Sequence, residues 1–295
     1  MSVLDKRLVF VTGKGGVGKT AVAAALGMVA AARGRRTIVA EVAQRDDVHR
    51  ALAGGEEGGW REAALGDGLY ALSVDPQRAM EEYLADQLSK PLAEILAGSR
   101  VFGYLAAATP GMRELLTVGK LWELAQDERR TPGAEPYDLV VVDAPATGHG
   151  LALLDAPRTF GDVAAAGPIA RQARTIAATL EDRATTGVVA VATPEEMPVN
   201  EVDHLRAELG ERLDLVVANA IRPDRFTAAE ARTLARLAEE HAAARVAVAA
   251  HARARAQEEQ LDRLHADVHL PFVPDAANGG ADLRALADAL EEGLA

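Results

Sequence analysis

Short apolar runs rich in β-branched residues recur along the chain: LVFVT (8–12), TIVAEV (37–42), LYALSV (69–74), DLVVVDA (138–144), VVAVAT (188–193), LDLVVANA (213–220) and VHLPFV (268–273). Most are continuous rather than alternating, the pattern of parallel strands covered on both faces. Alanine-rich stretches between them carry helix signals; the stretch 18–33, for example, ends at Gly34, a C-terminal cap. Strand, helix, strand in repetition predicts an α/β fold with a doubly wound, mostly parallel sheet. Two segments are too long for simple crossovers. Residues 75–133 read as several helices broken at Pro91, Gly98, Gly103 and Thr109-Pro110-Gly111, and 157–186 read as a shorter helical insert. Both are expected to pack together as a helical subdomain above the strand ends, inserted into one domain spanning 1–295. Residues 228–266 read as a long helix or hairpin, with RVAVAA (245–250) as an alternative eighth strand, and GGEEGGW (54–60) reads as a loop.

The first strand leads into GKGGVGKT, Gly13 to Thr20, ahead of an alanine-rich helix, which is the setting of a phosphate-binding loop. Gly13, Gly15, Gly16 and Gly18, with Val17 among them, let successive N–H groups turn inward around phosphates, and the helix aims its positive end at them. Lys19 would contact the β- and γ-phosphates and the Thr20 hydroxyl would hold Mg²⁺. Asp143 follows the buried run Leu139 to Val142, so its carboxylate is expected at the carboxyl edge of the sheet as a second metal element. A helix cap or a surface ion pair is the plainer role for that aspartate. The whole reads as a P-loop NTPase binding a nucleoside di- or triphosphate with Mg²⁺.

Composition narrows this. The net charge of −12 disfavours a broad nucleic-acid surface. The chain has no cysteine, which removes disulfides, thiolate zinc or metalloid sites and iron–sulfur clusters. Asp5, Lys6 and Arg7 lead straight into the first strand with no leader-like stretch, so a cytoplasmic location is expected.

A lysine at the second position of the glycine loop, Lys14, resembles the mark of the deviant-loop ATPases: partition ATPases of the ParA/MinD type, the nitrogenase iron protein and the ArsA-type ATPases. VVDAPATGHGLALLDAPR (141–158) resembles the second switch of the ArsA-type family through Asp143, Ala144, Pro145, Thr147, Gly148 and His149. TPGMRELLTVGKLWEL (109–124) resembles its helical-subdomain segment, VVANAIRP (216–223) its base-recognition strand and LPFVPDAANGG (270–280) the loop closing over the base. The resemblance implies that Lys14 reaches the partner's nucleotide across a face-to-face dimer. It implies that Asn219 hydrogen-bonds adenine and that Pro271, Phe272 and Val273 line the other side of the base. It implies that the nucleotide is ATP or ADP, in a nucleotide-switched ATPase paired with itself or with a related chain. The family includes arsenical-pump ATPases and factors that deliver tail-anchored membrane proteins, so a hydrophobic or membrane-protein client is one expectation. The segment 101–116 is apolar enough for such a groove, and equally for subdomain core or dimer contact.

The chain departs from that pattern in places. Glu41 stands where the family has the aspartate that orients the attacking water, with Val42 for its proline and Gln44 for its histidine. A carboxylate displaced by ~1 Å can cost ~10²-fold in rate, so slow hydrolysis is expected. Capping or surface pairing is the plainer role for Glu41, and Asp46 or Asp47 could substitute for it. Ala21 replaces a hydroxyl residue that contacts the α-phosphate, a loss of ~1 kcal/mol. The C-terminal stretch 281–295 is amphipathic but acidic, unlike a membrane-anchoring helix with a basic face. His149 suits switch geometry better than proton transfer, and His251, Arg253 and Arg255 read as a solvated helix face. Trp60 and Trp122 read as packing residues. Two other functions stay open: a nucleotide-binding scaffold that turns over weakly or not at all as half of a heterodimer, and a partition-type ATPase.

Overall fold

The structure, a computed structural model, describes residues 2–42, 45–53, 58–87, 111–131, 133–163, 167–274 and 280–294. Among them eight strands form one sheet: β1 (Leu8–Thr12), β2 (Thr37–Glu41), β3 (Ala63–Gly66), β4 (Leu69–Ser73), β5 (Leu139–Asp143), β6 (Thr186–Ala192), β7 (Leu213–Ile221) and β8 (Val268–Pro271). Their order is β3-β4-β2-β5-β1-β6-β7-β8. All neighbours pair in parallel except the edge pair β3 and β4, which is antiparallel. The helices are α1 (Lys19–Ala32), α2 (Asp47–Ala53), α3 (Pro76–Gln87), α4 (Met112–Leu124), α5 (Thr147–Val163), α6 (Pro168–Glu181), α7 (Glu196–Leu209), α8 (Ala228–Leu237), α9 (Ala242–Leu264) and α10 (Gly280–Gly293). None of the described helices is long and apolar enough to cross a membrane.

The continuous apolar strands follow from burial on both faces. In β1, Val9 and Val11 join the core beneath α1 and α10, while Leu8 and Phe10 join the core shared with α4, α5, α6 and α7. In β5, Leu139 and Val141 face the first core and Val140 and Val142 the second. Helix α1 is buried almost all round because it lies between the sheet and α10, which explains its run of alanine. Gly27 lets it approach β2: a Cβ there would lie 2.3 Å from Val39 Cγ2. The acidic C-terminal helix buries Leu283, Leu286 and Leu290 against this assembly, so its amphipathic face is core rather than surface.

Two expectations need correction, and one strand had no forecast. RVAVAA is not a strand; it lies inside α9, which pairs with α8 as a helical hairpin. Alanine and arginine favour helix strongly enough there to outweigh two valines. Pro157 does not open an insert: α5 starts at Thr147 and runs through it, and α6 is followed by β6, which begins at Thr186. Among the described residues, the short edge strand β3 had no apolar signature to announce it. Residues 88–110, which hold the breaks at Pro91, Gly98, Gly103 and Thr109-Pro110 and the larger part of the apolar segment 101–116, and residues 54–57 of the glycine-rich loop lie outside the described residues.

Helices α3, α4, α5 and α6 pack on one another. A buried chain of charges ties them to the sheet edge. Arg129 bridges Glu62 (2.6 Å) and Glu123 (2.9 Å), and Lys120 bridges Glu123 (3.2 Å) and Glu82 (2.7 Å). Tyr137 Oη donates to Glu62 at 2.7 Å. Trp122 donates to Thr179 Oγ1 (3.0 Å), joining α4 to α6.

Candidate nucleotide and metal site

Strand order, not strand direction, switches at β1: β2 and β5 lie on one side of it and β6 on the other, which opens a crevice at the carboxyl ends of the central strands. The glycine loop leaves β1 into that crevice. Gly13 has φ 144°, and a Cβ on it would fall 2.1 Å from the Val191 carbonyl oxygen of β6, so only glycine fits. The loop ends at Gly18, φ 90°, the N-cap of α1, so the first free N–H groups of that helix face the loop. Lys19 folds back over the loop, its Nζ donating to the Lys14 carbonyl at 3.0 Å. Burial lowers its pKa, Asp143 acts in the opposite sense, and Arg45 adds to the lowering. Lys14 is only partly covered, on the rim of the loop.

Asp143 ends β5 beside this loop, opposite Val11 of β1 and Glu41 of β2. Thr20 Oγ1 donates to its Oδ2 at 2.7 Å. Its Oδ1 is buried and has no hydrogen-bond partner among the described residues. Burial pushes this carboxyl up to about 6; the Thr20 hydrogen bond and Lys19 pull down, while Glu41 and Asp47 push up. A buried carboxylate oxygen without a partner costs ~1–3 kcal/mol or more. A hard cation fits this need, since it takes hydroxyl and carboxylate oxygens. No cluster of three or more His, Cys, Asp or Glu suited to a metal occurs among the described residues. Thr20 and Asp143 would therefore hold a cation that draws its remaining ligands from substrate oxygens and water, which is the habit of magnesium.

Two further hydroxyls that the sequence did not single out as site residues, Thr12 and Thr147, are buried there without partners among the described residues. Thr12 ends β1, and Gly150 of α5 approaches so closely that a Cβ on it would lie 2.8 Å from Thr12 Oγ1. Buried polar atoms left open beside a glycine loop are the signal that marks them, and burial is invisible in sequence.

The remaining expected residues divide. Glu41 is buried at the end of β2, and both its oxygens are occupied by main-chain donors: Oε1 accepts from Arg45 N (2.6 Å) and Oε2 from Val48 N (3.0 Å). It clamps the loop into α2. Asp47 opens α2 and pairs with Arg50; Asp46 has φ 56°. Gln44 lies outside the described residues. Ala21 is buried in α1. Asn219 reaches the loop, its Nδ2 donating to the Val17 carbonyl at 2.9 Å. Pro271 ends β8, Phe272 is 39% exposed with the Arg222 guanidinium 3.7 Å from its ring centre, and Val273 packs on the core. Residues 275–279 of that loop lie outside the described residues.

The stretch from the first strand through the second switch, residues 6–166, matches the family model for anion-transporting ATPases. This chain belongs to the anion-transporting ATPase family. It is 32% identical over 232 residues to ATPase BagA of Mycobacterium tuberculosis, covering 73% of this chain and 64% of that protein. It is 28% identical over 239 residues to a putative arsenical pump-driving ATPase of Halobacterium salinarum (76% and 37%), and 29% identical over 163 residues to ATPase GET3 of Podospora anserina (53% and 45%). The match thus spans less than two thirds of each relative's own length.

Within this family member, α3, α4 and α6 line a partly open apolar cavity of about 220 Å³, bordered by Met80, Leu84, Leu115, Leu116, Ile169 and Ile176 among the described residues. It lies in the helical layer, apart from the glycine loop. Outside both regions, His251 is not simply solvated: its Nδ1 lies 2.7 Å from Asp224 Oδ1. His149 is exposed in the first turn of α5.

Proposed function

We propose that this chain binds ATP with magnesium in the crevice above β1 and β5, hydrolyses it slowly to ADP and phosphate, and pairs with a second ATPase subunit, itself or a relative, according to the nucleotide held. The observation that carries this reading is the contact of Thr20 Oγ1 with Asp143 Oδ2, beside Lys19, with Asp143 Oδ1 left open. When bound there, magnesium supplies neutralisation of charge on the phosphate oxygens. The loop amides and Lys19 would bind and orient the triphosphate, Thr20 and Asp143 would hold the ion, and the closed crevice would exclude water other than the attacking one. Lys14 would supply charge to the partner's nucleotide. The segment from Asp143 through α5 would pass the phosphate state to α3, α4 and α6, which are proposed as an inserted helical subdomain whose apolar cavity receives a hydrophobic client.

Nucleotide titration with and without magnesium tests the core of this. Lys19→Ala should weaken ATP binding at least tenfold, the scale of a charge-assisted contact of ~1.5–3 kcal/mol. Asp143→Asn should stay folded and lose the magnesium dependence of both affinity and phosphate release. Unchanged magnesium dependence in that variant would refute the site.

The clamp on Glu41 favours a second reading, a nucleotide-binding subunit that does not turn over. With both oxygens engaged by main-chain donors, this carboxylate has first to release the α2 loop before it can orient water. Single-turnover phosphate release separates the two. A rate that Glu41→Gln lowers at least tenfold supports hydrolysis through Glu41, and a rate at the uncatalysed background in the parent chain supports the scaffold.

A further inference from the structure

Strand β7 carries one residue too many against β8. Ala218 pairs with His269 and Ile221 with Pro271, so Asn219 and Ala220 together oppose Leu270. Such a bulge bends the strand and re-aims side chains, and it often sits beside a functional site. Ala220 has φ 61°, a left-handed conformation that glycine adopts freely and alanine does not. Something outside the strand must hold it.

The holder is Gln257, well along α9. Its Nε2 donates to the Ala220 carbonyl at 3.2 Å, and its Oε1 accepts from the Arg222 N–H at 2.8 Å. Its side chain is turned inward on a helix whose neighbouring Arg253, Arg255, Glu258 and Glu259 are exposed, and Gln257 is only 8% exposed. The carboxamide thus takes up a main-chain acceptor and donor on either side of Ile221, whose own carbonyl accepts from Phe272 N at 2.9 Å. On the other side of Ala220, the bulge delivers Asn219 to the glycine loop. There its Nδ2 meets the Val17 carbonyl and fills the space a Cβ on Gly18 would need, 2.3 Å away.

We infer that Gln257 is a positioning residue for nucleotide binding: by clamping the Ala220 bulge it aims Asn219 at the loop and at the base end of the site. The inference rests on the ATP-site reading above. Gln257 itself touches no substrate. Removing its carboxamide lets Ala220 return to ordinary strand geometry, which turns Asn219 away and slackens the Val17–Gly18 peptide.

The experiment measures, by calorimetry on the full chain, the affinities for non-hydrolysable ATP and GTP analogues with magnesium, together with hydrolysis at saturating ATP. Gln257→Leu keeps size and removes both hydrogen bonds. It is expected to weaken the ATP analogue about tenfold, the scale of hydrogen bonds lost from a positioned group, leave the GTP analogue within about twofold and leave the saturated rate within about twofold. Ala220→Gly added to it should restore most of the discrimination, because glycine takes up the left-handed conformation unaided. That rescue is one a general loss of packing would not show. Asn219→Ala is the control for the site. If Asn219→Ala loses base discrimination while Gln257→Leu binds like the parent, the inference is overturned and the site stands. If Asn219→Ala discriminates normally, the base-end reading itself falls and takes the inference with it. A loss in Gln257→Leu that Ala220→Gly does not rescue makes Gln257 merely structural and also overturns it. Should the leucine variant not fold, Gln257→Glu keeps the acceptor toward Arg222 and drops the donor toward Ala220; narrowed discrimination supports the inference and unchanged discrimination overturns it.

Discussion

Gly13 and Gly15 stand two positions apart in one turn, but a methyl group meets different surroundings at each. At Gly13 it would strike the Val191 carbonyl, part of the central strand β6, which cannot move without breaking the sheet; at Gly15 nothing lies within 4 Å. Gly13→Ala should therefore lower stability by about 1–3 kcal/mol and abolish nucleotide binding, whereas Gly15→Ala should change stability by no more than about 0.5 kcal/mol. Denaturant melts of the two variants check this, and equal midpoints would show that the turn relaxes around a side chain. Such contrasts mark where sequence reading stops. GKGGVGKT and the aspartate after a buried strand are legible because their chemistry needs fixed spacing along one chain segment. The engagement of Glu41 by Arg45 and Val48, the open hydroxyls of Thr12 and Thr147 and the contact of Asn219 with Val17 depend on where main-chain atoms fall after packing. Spacing does not encode them, so Glu41, expected from the resemblance to orient water, is found holding its own loop.

Between α3, α4 and the sheet edge, charge does work that apolar packing does elsewhere. Glu123 is buried between Lys120 and Arg129; burial pushes its carboxyl up, but the Lys120 ammonium and the Arg129 guanidinium outweigh this and hold it below the ordinary 4.5. A group depressed in the folded state contributes stability that is present above its unfolded pKa and is lost as pH falls through its folded pKa. Glu123→Gln should therefore cost about 3–5 kcal/mol at neutral pH, as for one partner taken from a buried ion pair, and the gap from the parent should close as pH drops below about 4.5. Thermal melts from pH 7 down to pH 3 give the test; a gap independent of pH would mean that Glu123 acts by packing alone. The same elements show which parts of the fold the pattern reveals. Strands covered on both faces declare themselves as unbroken apolar runs, so β1, β2 and β5 are read almost to the residue. β3 is a short half-exposed edge of AALG, with no periodicity to detect. In α9 the valines of RVAVAA imitate a strand locally, and only the length of the helix, 23 residues, decides the matter.

At the scale of the molecule, two copies that each carry −12 repel one another, so any pairing must rest on a local attraction strong enough to offset the field of the whole. Under the proposed pairing, Lys14, on the rim of the loop, would provide that attraction only when a highly charged phosphate chain lies across the interface. Pairing should then follow the γ-phosphate. In sedimentation with magnesium, the parent chain is expected to run as a dimer with a non-hydrolysable ATP analogue and as a monomer with ADP. Lys14→Ala should stay monomeric in both while binding each nucleotide within about threefold of the parent, since its own loop keeps Lys19. Salt gives an independent check. The Debye length shrinks to about 8 Å at physiological ionic strength, which screens the long-range repulsion while barely reaching a buried ammonium–phosphate contact. Pairing of the ATP-analogue form should accordingly hold or strengthen as salt rises from ~10 to ~150 mM. Steady weakening over that range would instead place the attraction in exposed charge pairs on the rim, and Lys14 would lose its assigned role.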